Sequence, residues 1–86
     1  MTGYHATTPK MLARYEASRA ILLPVRFWRF RGSAEAWARR VGRLVILKLD
    51  LDDQNCHPLP DHKPSGHAWW YDGFVREWAL AGEKEE

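Results

Sequence analysis

The stretch "RLVILKLDL", residues 43–51, constrains the fold more than any other. Val45, Leu47, Leu49 and Leu51 alternate along one face of an extended chain, and Leu44, Ile46, Lys48 and Asp50 along the other. Both faces are apolar at its start, which predicts a central strand of a sheet. With 86 residues, one domain is the expected count. A domain this small buries only ~60% of the surface its unfolded chain exposes. Its core therefore needs large side chains, and five Trp, three Tyr and three Phe are at hand.

The elements around that strand follow from local signals. Residues 3–7 alternate as a short strand. Thr8 then reads as an N-cap and Pro9 as a first helical residue, predicting a helix to about Ala20. Met11, Leu12 and Tyr15 share its buried side, while Ala13, Ala17 and Ala20 form a second stripe open to close packing. Pro24 interrupts the apolar run that follows, so the next strand starts at Val25. In it Val25, Phe27 and Arg29 face one way, and Arg26, Trp28 and Phe30 the other. Ser33 is expected to cap a helix over "AEAWARRV", with Trp37 and Val41 on one face and Gly42 as its stop.

After the central strand, residues 52–66 lack periodicity and hold three prolines, which predicts a long loop. Asp72-Gly73 between aromatic runs predicts a hairpin with arms 67–71 and 74–80. The charged tail 81–86 is expected to fray. The predicted class is α+β: a small mixed or antiparallel sheet with two short helices.

The net charge of +2 does not mark a general nucleic-acid binder. The Arg-rich stretch from Arg26 through Arg43 reads either as a phosphate-holding surface or as a solvated basic face. A single cysteine, Cys56, excludes an internal disulfide and suits a cytoplasmic protein. No run approaches the roughly 18 apolar residues of a membrane helix, and no signal peptide is evident.

Three pieces, in order, resemble the ADP-ribosyltransferase fold, the group of poly-ADP-ribose polymerases and bacterial mono-ADP-ribosylating toxins. "YHATT" is similar to the family's first strand, with His5 in the histidine place and Thr7 in the Thr/Ser place. "RFWRFRGSAEAWARR" is similar to the second motif, with Phe27 nearest the tyrosine place, Trp28 beside it, and Ala36 and Trp37 following. "EWAL" puts Glu77 in the glutamate place of the third. Ala6 stands where the family usually has glycine, and Phe27 lacks a hydroxyl.

The resemblance implies NAD as cofactor and ADP-ribose transfer to an acceptor. By the same resemblance, His5 bonds the ribose next to adenine, with Thr7 beside it. Phe27 or Trp28 stacks on nicotinamide, and Glu77 supports the carbocation-like transition state as the catalytic residue.

Two other readings stand beside it. Cys56, His57, His62 and His67, with Asp52, Asp53 and Asp61, are zinc ligands by type, but their spacing lacks the paired pattern of structural sites. The rings of Trp69, Trp70, Tyr71, Phe74 and Trp78 exceed what one small core can bury. They point to a non-catalytic module that binds a protein partner or a second copy of the chain. Each reading requires something different. A nucleotide site needs His5, Phe27 or Trp28, and Glu77 in one cleft. A metal site needs two of His57, His62 and His67 together. A docking module needs an exposed aromatic patch.

Overall fold

The computed structural model describes residues 1–21, 24–59 and 68–81. Its elements are β1 (Thr2–Thr7), α1 (Pro9–Ser18), β2 (Val25–Trp28), α2 (Arg31–Val41), β3 (Val45–Asp50), a 3-10 turn (Asp53–Asn55), β4 (Cys56–Leu59), β5 (Ala68–Tyr71) and β6 (Ala79–Leu80). The described strands form one six-stranded sheet in the order β4-β5-β2-β1-β3-β6, every neighbour antiparallel. The class is thus α+β, and the sheet is antiparallel rather than mixed.

Alternation along the strands sorts the side chains into two layers. On one face Phe27, Val25, Leu47, Leu49, Leu51 and Tyr71 pack with Tyr15 of α1, and Met11 and Leu12 close over them. On the other face Trp28, Ala6 and Ala68 pack with Ala34 and Ala38 of α2. Ala34 and Ala38 lie four residues apart, and their small side chains let α2 sit close to the buried Trp28. Of the predicted strand 43–51, β3 covers Val45–Asp50: Leu47, Leu49 and the following Leu51 are buried and Ile46 packs on the opposite layer, but Leu44 lies before the strand and is exposed.

The helix ends follow local chemistry. The Thr8 hydroxyl accepts from the Met11 N–H at 3.1 Å, and Pro9 occupies the first turn. α1 stops at Ser18, two residues early, because Arg19 turns left-handed at φ 60°. Gly42 ends α2 in the same region at φ 75°, where glycine carries no Cβ penalty. The start of α2 differs from expectation. Ser33 does not cap it; the helix begins at Arg31, whose guanidinium pairs with Glu35 one turn on at 2.9 Å. The expected second stripe of α1 is also corrected: Ala13 and Ala17 are exposed.

Two larger expectations are overturned. The segment 52–66 is not one loop, because its first part forms the 3-10 turn and then β4, which pairs with β5. Asp72-Gly73 is not a hairpin turn either. A two-residue turn of that type needs positive φ at both central residues, and neither has it. Gly73 is there for space: a Cβ would come within 2.9 Å of the Tyr71 ring and 3.0 Å of the Asn55 amide. The chain leaves β5, bridges Ile21 at Val75, and reaches the far edge of the sheet, where β6 pairs with β3. Val75 and Trp78 of this returning segment join the layer around Tyr15.

Candidate functional site

β1 and β3 pair along their full length, from Thr2 opposite Asp50 to Thr7 opposite Val45. β1 and β2 meet only at Tyr4 and Trp28. Two steps along, Ala6 and Arg26 would be the next residues to face one another in an antiparallel ladder. Their carbonyls are instead taken by side chains. The Arg26 oxygen accepts from His5 Nδ1 at 2.6 Å, and the Ala6 oxygen from Arg43 Nη1 at 2.8 Å. The two carbonyls freed by the parted strands are thus satisfied without closing the seam.

That seam opens into a cleft of about 740 Å³, inside the roughly 300–1,000 Å³ of small-molecule sites. Trp28, Trp37 and Trp70 supply its flat walls, Arg26 and Arg43 its charge, and His5 and Tyr15 its floor. No carboxylate lines it among the described residues. The Arg26 guanidinium lies over the Trp37 ring at 5.5 Å, and the Trp28 and Trp37 rings sit 5.7 Å apart. The arrangement can hold an anionic group beside a planar one: guanidinium forks match phosphate, and indole faces take rings.

His5 is 6% exposed. A carbonyl can only accept, so Nδ1 carries the proton toward Arg26. In the neutral ring Nε2 then accepts from the Tyr15 hydroxyl at 3.1 Å. The Thr7 hydroxyl reaches the Tyr15 oxygen at 3.5 Å, the long end for such a bond. Burial lowers the His5 pKa below the ordinary histidine value. The bond to Arg26 opposes this, and the positive charge of Arg43 adds to the lowering. Both ring nitrogens are committed within the protein.

The structure brings together some of the residues singled out from sequence. His5 and Trp28 line the cleft. Thr7 is fully buried behind His5, on Tyr15. Phe27 points into the core on the opposite face, fully buried and stacked on Trp69 at 6.3 Å, so its ring does not face the cleft. Glu77 is exposed on the returning segment and is not among the lining residues. Its neighbour Trp78 meets the Tyr15 ring edge-on at 6.2 Å. Arg26 and Arg43, the two ends of the Arg-rich stretch, are the members that reach the cleft. Trp70 and Tyr15 were not anticipated as site residues; their signal lay in the pairing of β5 with β2 and in the cap that aims α1.

The metal candidates divide. Asp61, His62 and His67 lie outside the described residues. His57 Nε2 pairs with Asp72 at 3.0 Å, and the Cys56 thiol donates to the Asp52 carbonyl at 3.4 Å. No group of three or more His, Cys, Asp or Glu gathers among the described residues. The aromatic segment does not form one exposed patch. Trp69 and Trp78 pack on the core, Tyr71 is within it, Trp70 lines the cleft, and only Phe74 is exposed. No described helix is long and apolar enough to cross a membrane. Comparison with protein-family models, curated proteins and solved structures finds no match to the chain.

Proposed function

We propose that this domain binds a nucleotide, NAD or a related dinucleotide, in the cleft between β1 and β2, as an ADP-ribosyltransferase-like protein. One observation carries the reading: two arginines and three tryptophans line a cleft of nucleotide size that has no carboxylate among its described residues. Arg26 and Arg43 are the groups that would hold a pyrophosphate, and Trp37 and Trp70 those that would meet its rings, with the buried Trp28 behind them. His5 acts first on the protein, bridging the seam through its bond to the Arg26 carbonyl. It meets a ligand hydroxyl through Nε2 only if that hydroxyl takes the place of Tyr15.

Transfer of ADP-ribose is the second step of the proposal. NAD would supply the glycosidic bond that breaks. A carboxylate near the nicotinamide ribose is the group the chemistry requires. Glu77 stands apart from the cleft, so binding is better supported than turnover.

Titration calorimetry with NAD and AMP tests the reading, with nicotinamide release followed on the same samples. Saturable binding that weakens in Arg26→Gln and Arg43→Gln is the expected result. Released nicotinamide that disappears in Glu77→Gln extends it to an enzyme. Absence of binding by either nucleotide at millimolar concentration overturns it.

A further inference from the structure

Three residues stand in a row across adjacent strands on the α2 face of the sheet. Arg26 pairs with Trp70, and Trp70 pairs with His57. The His57 ring stacks on Trp70 with centroids 4.6 Å apart and planes 30° from parallel. Its Nε2 is held by the Asp72 carboxylate at 3.0 Å. Asp72 is fixed in turn, since its N–H donates to the Asn55 carbonyl at 3.1 Å. His57 and Asp72 are both partly open to solvent, at 40% and 43% of their side chains, so a core-filling role does not explain them. Trp70 is part of the cleft wall, as is Leu59, two residues along β4 from His57.

We infer that Trp70 is the ring-stacking platform of the cleft and that the His57–Asp72 pair is its buttress. The inference rests on the nucleotide reading above and makes it more specific. Cross-strand neighbours stand side by side, so an indole covered by His57 on one face turns its other face toward Arg26. Arg26 lies over Trp37 rather than closing that face. A planar ring carrying a phosphate fits there, with the ring against Trp70 and the phosphate on Arg26. The chemistry described is that of a nucleoside monophosphate unit. His57 and Asp72 are positioning residues in this arrangement. They act by restricting the indole before the ligand arrives, which lowers the ordering cost of binding.

The test uses the full chain, with AMP and NAD as probes. Trp70→Leu keeps apolar bulk and removes the π face; AMP affinity is expected to fall roughly tenfold or more. His57→Ala is expected to weaken it about threefold, and His57→Phe, which keeps a stacked ring, to recover most of that loss. A second readout needs no ligand: the order parameter of the Trp70 indole N–H by nitrogen relaxation. It should be rigid in the wild type, lower in His57→Ala and in Asp72→Asn, and restored in His57→Phe. If that order parameter is unchanged in His57→Ala, the buttress is overturned, whatever the protein binds. If wild type binds AMP and Trp70→Leu binds it equally, the platform is overturned while the nucleotide reading stands. If wild type binds neither AMP nor NAD, the nucleotide reading fails and the platform with it.

Discussion

His5 shows how one side chain can shape a cleft without filling it. It satisfies the Arg26 carbonyl and accepts from Tyr15, and it is buried while doing so. Its pKa is lowered, chiefly by burial. The unfolded chain therefore binds a proton that the folded chain refuses once the pH falls below the ordinary histidine value of about 6.5. Stability should drop as pH falls through that value and stop changing, for this group, below the folded pKa. Urea midpoints between pH 5 and 7.5 measure the effect. His5→Asn, which keeps a donor near the Nδ1 position and cannot titrate, should flatten the slope; an equally steep profile in that variant would place the acid sensitivity elsewhere. A second residue-scale prediction concerns Gly3. A Cβ there would collide with the Phe27 ring and come within 2.9 Å of a Leu51 methyl. Gly3→Ala is expected to cost about 1–3 kcal/mol through overpacking, read as a lower urea midpoint at unchanged slope.

At the scale of elements, what was legible in the sequence is what neighbouring residues decide. The Thr8 cap, Pro9 in the first turn, the Gly42 stop and the alternation of Leu47, Leu49 and Leu51 depend on residues within a few positions, and they were readable. Thr8→Ala should destabilise the domain by about 1 kcal/mol, and Gly42→Ala by a similar amount, roughly 1 kcal/mol, because φ 75° strains a Cβ. Equilibrium unfolding of both variants checks this. What was not legible is pairing between distant segments. Asp72-Gly73 has the composition of a hairpin turn, yet β5 finds its partners in β4 and β2. What constrains Gly73 is the close approach of Tyr71 and Asn55, which no local pattern records. The same limit hid the role of Trp70. Its neighbours Arg26 and His57 are 44 and 13 positions away in the chain and adjacent only in the sheet. His5 and Trp28, singled out through the motif resemblance, line the cleft because they stand on the strands that flank the seam. Phe27, next to Trp28, lies one step of the pleat away, which sends its ring to the opposite face.

At the scale of the molecule, the parted β1–β2 seam is what turns a continuous sheet into a sheet with a cleft. An extended residue's N–H and C=O point to the same side of its strand. The Arg26 carbonyl points to the seam, where His5 holds it, so the Arg26 N–H points there too. It lacks the backbone partner across the seam that a closed ladder would bring. The β1–β3 ladder has no such gap. Hydrogen exchange should therefore divide β1's two borders. Amides bonded to β3 should exchange at rates near those of global unfolding, and the Arg26 amide much faster. A nucleotide seated in the cleft should slow exchange at Arg26. At a concentration 100 times its Kd it should also raise global stability by about 2.7 kcal/mol. For a domain of this size that is a rise in Tm of roughly 10–20 °C. A ligand-free Arg26 amide as protected as those bonded to β3 would mean that the seam is closed in solution, and the cleft would then be too narrow for the function proposed. Fast exchange that a nucleotide selectively suppresses would tie the open seam, the arginines at its rim and the bound ligand to one structural cause.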